Sequence, residues 1–151
     1  MSEINSVDEI LDFAIGEEQK AADFYTDLAS KMAKPSLKKI FKDFSKEEMG
    51  HKAKLERVKG GKKLLSSAKN VADLKIGDYL VEVDETGDLD YQKALTIAMK
   101  KEKAAFRLYS DLASKSSDAE VTQLLLELAQ EEAKHKLRFE VEYDEYILTE
   151  N

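Results

Sequence analysis

Apolar residues recur along the chain at the three- and four-residue spacing of a helix face, in four separate segments. The first face consists of Leu11, Ala14, Ala21, Tyr25, Leu28 and Met32. The same spacing returns between Leu37 and Val58, between Leu95 and Leu112, and between Val121 and Phe139. The pattern predicts four amphipathic helices, each burying one face in a shared core.

Two short motifs indicate where the outer helices begin. Ser6 and Glu9 have the spacing of a capping box, in which each side chain bonds to the backbone N–H of the other residue. Ser117 and Glu120 repeat this spacing before the fourth segment. We therefore expect the first helix to begin at Ser6 and the fourth at Ser117.

The inner boundaries are predicted from proline, glycine and aspartate. Pro35 has a fixed φ and no N–H, so it should stop the first helix and occupy the first turn of the second. Gly60 and Gly61 are predicted to end the second helix. The third helix is predicted to begin near Asp88 or Asp90.

The lengths of the connections predict the topology. Short connections join the first two helices and the last two, so we expect antiparallel hairpins at about residues 6–60 and 88–148. Residues 61–87 are long enough to cross a bundle, with a short helix near Asn70–Leu80. A linker between two domains is the alternative, but each hairpin would then leave its apolar face unburied. We predict a single all-α domain over residues 1–151, a four-helix bundle of two hairpins joined by a long crossover.

The two predicted hairpins repeat one another at a shift of 84 residues, since 102 − 18 = 84 and 132 − 48 = 84. The segment Thr26–Lys31 aligns with Ser110–Lys115, and Glu47–Lys52 aligns with Glu131–Lys136. Residues equivalent by the repeat should be related by a pseudo-twofold axis. A site on that axis would receive the same side chains from each half.

Six polar residues interrupt the apolar faces at similar depths along the helices. They are Glu18, Glu48, His51, Glu102, Glu132 and His135, and they include both histidines of the chain. In the second and fourth helices, glutamate precedes histidine by three residues, so both side chains point the same way. One glutamate from each of two helices plus Glu-x-x-His from each of the other two is the ligand pattern of di-iron and di-manganese bundles.

Burial of these side chains would favour a pair of cations. An ionised carboxylate in a core is costly unless it is neutralised, and four together would repel one another. Two divalent ions would supply +4 against the −4 of four glutamates. Two other interpretations remain open. The six residues could lie exposed on ordinary amphipathic helices, or the duplication could be vestigial and bind no metal.

Further residues lie next to this set. Tyr25 and Tyr109 follow the glutamates of the first and third helices by two turns on the same face. They could bond to the carboxylates or simply fill the core. Glu47 and Glu131 precede the paired ligands. They could replace them in an alternative register, but we expect them to be exposed or at the edge of the bundle. The sequence does not identify the residues that orient the histidines.

Composition and charge narrow the function classes. The chain has 151 residues, of which 42% are hydrophobic and 36% charged. It contains no cysteine, which excludes a disulfide, an iron–sulfur cluster and a thiolate metal site within it. The net charge of −7 argues against a nucleic-acid partner, and no apolar run approaches the roughly 20 residues of a membrane span. The polar N-terminus lacks the features of a signal peptide, so we expect a cytoplasmic protein.

These motifs resemble the ferritin-like superfamily, and its rubrerythrin branch in particular, over about residues 7–146. The strongest matches are Glu18 with Tyr25, Glu102 with Tyr109, Glu48-Met49-Gly50-His51 and Glu132-Ala133-Lys134-His135. The resemblance implies a ferritin-like fold and a di-iron centre that acts on peroxide or dioxygen. It implies that Glu18 and Glu102 are terminal ligands, that Glu48 and Glu132 bridge the metals, and that His51 and His135 each bind one ion.

The chain departs from this family pattern in two respects. Rubrerythrins proper carry a cysteine-ligated rubredoxin module, which this chain lacks, so the resemblance implies a separate electron donor. Met99 occupies the position of an extra glutamate that rubrerythrins place before the third-helix ligand, and Ile15 is its repeat equivalent. The symmetric ligand set is closer to that of bacterioferritins. Met49 resembles their haem-ligating methionine in position, but we expect packing there and no haem.

Three functions follow from these observations, in order of preference. The first is a redox enzyme that uses two iron ions, with manganese as the alternative metal, to act on peroxide or dioxygen. The second is a ferroxidase that stores or buffers iron. The third is a non-catalytic helical interaction module. We expect a homo-oligomer, a dimer or larger.

Overall fold

Four long helices form the fold. The computed structural model describes residues 3–82 and 90–150, with side chains for residues 6–82 and 90–146. The long helices are α1 (Glu3–Ser30), α2 (Pro35–Gly61), α4 (Tyr91–Lys115) and α5 (Ala119–Glu150), and the crossover contains a short α3 (Ala68–Val71). These ranges contain no strand, which confirms the predicted all-α, ferritin-like four-helix bundle. No helix within them is both long and apolar enough to cross a membrane.

The buried apolar side chains form two clusters, one at each end of the bundle. The first contains Val7, Leu11, Leu55, Leu64, Leu112 and Leu125 among others. The second contains Tyr25, Leu28, Phe41, Leu95 and Phe139 among others. The helical residues between these clusters supply a separate polar layer, which is described in the next subsection.

The first helix begins earlier than its capping motif predicts. α1 starts at Glu3, so Ser6 lies inside the helix and the predicted start at Ser6 is wrong. Val7 and Ile10, which follow Ser6 on the inward face, are buried at 1% and 2% exposure. Because the helix end lies three residues earlier, Ser6 does not occupy the N-cap position.

The fourth long helix also begins at a different residue from the one predicted. α5 starts at Ala119, and the Asp118 carboxylate accepts a hydrogen bond from the backbone N–H of Val121 at 3.0 Å. Ser117 instead donates its backbone N–H to the Ser67 hydroxyl, at 2.7 Å. The prediction of a cap at Ser117 is therefore wrong, because the crossover occupies that residue and its neighbour becomes the cap.

The remaining boundaries lie close to the predicted ones. Pro35 is the first residue of α2. α2 continues through Gly61, and the left-handed conformation that ends it, with φ of 55°, belongs to Lys62. The Asp90 carboxylate caps α4 by accepting the N–H of Lys93 at 2.7 Å, whereas the alternative start at Asp88 lies outside the described residues.

The crossover is more broken than the predicted helix near Asn70–Leu80. Within its described residues, up to residue 82, the only α-helical part is α3, flanked by 3₁₀ turns at Lys63–Ser67 and Ile76–Tyr79. The segment is held to the bundle by the buried side chains of Leu64 and Val71. Tyr79 adds a hydrogen bond from its hydroxyl to the Asp111 carboxylate of α4, at 2.6 Å.

We predict that Asp118→Ala lowers the free energy of unfolding by about 1 kcal/mol, because it removes the α5 cap. Asp118→Asn keeps an acceptor at the same place and should lose only a few tenths of that amount. Urea unfolding of the three proteins measures the difference. Equal losses in both variants would show that the charge, and not the capping bond, stabilises the helix.

Candidate metal centre

The six polar residues selected from the sequence lie together at the middle of the bundle. Each is at most 3% exposed. α1 supplies Glu18 and α4 supplies Glu102, whereas α2 and α5 each supply a glutamate and a histidine one turn apart. The helical period explains this convergence, because each residue replaces an apolar one on an inward face.

The six side chains form two overlapping groups. Glu18, Glu48, His51 and Glu132 each offer one ligand atom, and these atoms lie within 4.8 Å of one another. Glu48, Glu102, Glu132 and His135 meet the same criterion. Glu48 and Glu132 belong to both groups.

Both histidines direct Nδ1 towards the glutamates. Nδ1 of His51 lies 2.9 Å from Oε1 of Glu132 and 3.5 Å from Oε2 of Glu18. Nδ1 of His135 lies 3.1 Å from Oε1 of Glu48 and 3.6 Å from Oε1 of Glu102. The two imidazole rings are nearly parallel, with centroids 6.3 Å apart.

One buried polar atom of every one of these six residues lacks a hydrogen-bond partner. These atoms are Glu18 Oε2, Glu48 Oε1, His51 Nδ1, Glu102 Oε2, Glu132 Oε1 and His135 Nδ1. Even the 2.9 Å approach of His51 to Glu132 is not aligned as a hydrogen bond. Buried polar atoms are normally satisfied, so six orphans around one point indicate a ligand. Carboxylate and imidazole donors suit iron, manganese or zinc.

The electrostatics of the metal-free layer favour uptake of protons. Burial, followed by the charges of Glu102 and Glu18, raises the pKa of Glu48 to about 8. The same causes raise the pKa of Glu132 well above its usual range. Burial lowers the pKa of His51, but contact with the Glu18 carboxylate outweighs burial and raises it to about 9. Protons therefore supply the positive charge that cations would otherwise bring.

The outer nitrogen of each histidine contacts a carboxylate of the opposite hairpin. Nε2 of His51 bonds to Glu131, and Nε2 of His135 bonds to Glu47. An ionised carboxylate can only accept, so whenever one of these imidazoles is neutral, its proton lies on Nε2 and the Nδ1 lone pair faces the site.

Sequence reasoning missed this role of Glu47 and Glu131. It placed both at the exposed edge of the bundle, and their side chains are indeed 55% and 42% exposed. The sequence signal that could have identified them is the pair of adjacent glutamates before each histidine. The pair occurs in both halves of the chain, 84 residues apart. A carboxylate one residue before a buried ligand lies at the helix edge, within reach of the neighbouring helix.

The two tyrosines also contact carboxylates across the bundle. Tyr25 donates its hydroxyl to Glu102, and Tyr109 donates to Glu18. Burial, together with the nearby carboxylates, raises the pKa of both phenols, so both stay protonated donors. Each tyrosine also packs in an apolar cluster, so bonding and core filling occur together.

We predict that the metal-free protein becomes less stable as pH rises from about 4.5 to about 9. Folding raises the pKa of Glu48 from 4.5 to about 8 and the pKa of His51 from 6.5 to about 9. The folded state therefore binds more protons than the unfolded state within this pH range. The free energy of unfolding should fall by a few kcal/mol across this window. Urea unfolding of the chelator-treated protein at several pH values measures it.

The matched variant for this prediction is Glu48→Gln, which should flatten the fall between pH 4.5 and 8. A stability that rises with pH in the metal-free protein would contradict the prediction. Metal should reverse the slope, because the ligands must lose protons to bind it.

Comparison with known proteins gives an independent view of the chain. A protein-family model described as Rubrerythrin matches residues 9–143. Searches against curated proteins and against solved structures gave no match. The family match includes most of each of the four long helices and every residue of the polar layer, which fits a metal-binding protein of the di-iron type. The chain belongs to the rubrerythrin family.

Proposed function

We propose that this protein is a non-haem di-iron oxidoreductase that reduces peroxide or dioxygen. The observation that carries the proposal is the set of six buried, inward-facing donor atoms without partners. Glu18 and His51 would hold one ion, and Glu102 and His135 the other. Glu48 and Glu132 would be shared between the ions, in keeping with their membership of both groups. A bound iron pair would supply the electrons for the reaction.

The chain's own residues would position this centre and restrict access to it. Tyr25 and Tyr109 hold the carboxylates of Glu102 and Glu18, and the two edge glutamates hold the imidazoles. A depression of about 410 Å³ reaches the His135 side between α2 and α5. It is bordered by the two edge glutamates and by apolar Phe44. Such an entrance would admit a small oxidant such as peroxide to the His135 side of the site.

The overall reaction on peroxide needs two electrons and two protons, H₂O₂ + 2H⁺ + 2e⁻ → 2H₂O. The exposed carboxylates of Glu47 and Glu131 connect the imidazole Nε2 protons to solvent. A separate electron carrier would reduce the iron pair again after each reaction. The chain itself has no cysteine to hold an iron–sulfur centre.

A ferroxidase that stores or buffers iron is the second candidate, with Fe(II) as its substrate. One observation favours it. Met99 and Ile15 pack against the apolar clusters, so neither half offers an additional carboxylate at that position to the site. The ligand set is therefore the same from both hairpins, as the resemblance to bacterioferritins implies.

We predict that the protein binds two Fe(II) ions per chain, and that single variants separate them. Glu18→Gln should lower the affinity for one ion by at least about tenfold, because it removes a ligand that only this ion uses. The affinity for the other ion should be unchanged. Glu48→Gln should weaken both, because its carboxylate belongs to both groups. Anaerobic titration with native mass spectrometry counts the ions.

Glu17→Gln is the matched control for this titration, since Glu17 is adjacent to Glu18 but pairs with Lys20 on the surface. It should bind two ions like the parent. Absence of Fe(II) and Mn(II) binding by the parent would contradict the di-iron proposal and favour a non-catalytic helical module. An identical loss in the Glu18 and Glu48 variants would contradict the shared assignment.

We predict that the iron-loaded protein consumes peroxide when a small reductant is supplied, with two electrons used per peroxide. Glu48→Gln should lower the rate at least about 100-fold, because both ions lose a ligand. Peroxide loss is measured against blanks without iron and without protein. Rapid oxidation of added Fe(II) by dioxygen, with no peroxide consumption, would favour the ferroxidase candidate instead.

A further inference from the structure

The outer surface of the α4–α5 hairpin exposes large apolar side chains. Phe106 is 40% exposed, Leu137 60% and Val141 40%. Phe106 and Leu137 border a shallow depression of about 390 Å³, and the other residues that line it are Lys103, Ala133, Lys136 and Glu140. We call this surface the α4–α5 face. Exposed apolar side chains gathered in one place with a charged rim are typical of an interaction surface.

The rim of this face is basic, although the protein is acidic overall, with a net charge of −7. Lys100, Lys103 and Arg107 are exposed and follow one side of α4 at helical spacing. Lys136 adds a fourth cation from α5, and its contact with Glu140 brings in the one acidic residue that lines the depression. The local charge is therefore positive.

The first half of the chain provides an internal comparison, because each position has an equivalent 84 residues earlier. The α4 residues Lys100, Lys103, Phe106 and Arg107 correspond to Gly16, Gln19, Ala22 and Asp23. The α5 residues Leu137 and Val141 correspond to Ala53 and Arg57. The six ligands are identical in both halves, whereas these surface positions differ. Among the four cations of the rim, Lys136 alone keeps its residue type in the first half, as Lys52. The basic row on α4 and the exposed apolar side chains are therefore particular to one hairpin, and the ligand pattern does not require them.

The α4–α5 face lies directly outside the metal layer. Lys103 follows the ligand Glu102, and Ala133 follows the ligand Glu132. A partner seated on the depression would therefore be separated from two ligands by little more than the helix backbone. An electron carrier bound there would not need to enter the bundle.

We propose that the α4–α5 face is the docking surface for a small acidic electron-carrier protein. The inference rests on the proposed function, which requires an external donor. The apolar centre would bury against the carrier, and the lysine and arginine rim would attract its acidic surface and speed association. Two one-electron carriers would be oxidised for each iron pair reduced from the diferric to the diferrous state, without loss or gain of protein atoms.

A second copy of this chain fits the same face poorly. A twofold contact centred on Phe106 and Leu137 would bring Lys103 and Lys136 of both copies together, and like charges facing across an interface are costly. The charge of the rim instead complements a partner with an excess of Asp and Glu.

The test uses a reduced plant-type [2Fe–2S] ferredoxin as the acidic carrier and Lys103→Glu/Lys136→Glu as the variant. Stopped-flow absorbance follows reduction of the oxidised, iron-loaded protein without peroxide. We expect the second-order rate constant at low salt to fall about tenfold in the variant. Reduction by dithionite, a small molecule that needs no docking surface, should be unchanged.

Binding is also measured without iron. Oxidised ferredoxin added to the ¹⁵N-labelled metal-free protein should shift amide signals on the α4–α5 face, and the shifts should weaken with salt and in the variant. Lys20→Glu/Lys52→Glu is the matched control, because it makes the same charge change on the α1–α2 hairpin. This control should bind ferredoxin and be reduced by it as the parent is. Leu137→Ser, an exposed apolar change, should weaken binding without altering the charge.

Three outcomes would overturn the proposal. Ferredoxin could bind the parent and the variant equally, or the control could lose as much as the variant. Sedimentation could show a dimer of the parent that the variant separates, which would make a second copy the occupant. Failure of the proposed function is distinct. In that case dithionite-reduced protein would not turn over peroxide, whereas the binding measurement would still decide the docking surface.

Discussion

Four carboxylates buried in one layer of the bundle are the constraint on which the rest of this structure depends. A core normally excludes such groups, because each ionised carboxylate loses its hydration and repels the others. Here Glu48 and Glu132 respond by raising their pKa values in the metal-free state. The two apolar clusters on either side must therefore supply the stability that this layer does not. Cation binding would convert the same layer from a destabilising feature into a stabilising one.

Support for the ligands comes from across the bundle. Tyr25 of α1 bonds to Glu102 of α4, and Tyr109 of α4 bonds to Glu18 of α1. The histidines of α2 and α5 are held by glutamates of α5 and α2 in the same reciprocal way. The orientation of every one of these four candidate ligands thus depends on how the two hairpins dock. A packing defect at the interface between the hairpins would therefore change the geometry of these side chains directly.

The sequence predicted the six inward residues because helical periodicity fixes which side of a helix a residue occupies. The same reasoning failed at helix ends, where tertiary contacts compete with local motifs. Ser117 has a capping spacing, yet its backbone N–H is taken by Ser67 of the crossover, which no local pattern reveals. Glu47 and Glu131 were placed at the correct depth but without partners. Their contacts depend on the rotation of α2 against α5, a quantity that periodicity within one helix does not contain.

The reciprocal bonding has a consequence for how such a protein could arise. A hairpin on its own would possess a glutamate, a Glu-x-x-His motif, a tyrosine and an edge carboxylate, but the bonding partners of its tyrosine and its edge carboxylate lie in the other hairpin. An ancestral chain of half this length could have completed the centre only by pairing with a second molecule. Fusion through a crossover would make that encounter intramolecular and independent of concentration. Afterwards each outer surface would be free to diverge, since only the inward residues must stay matched.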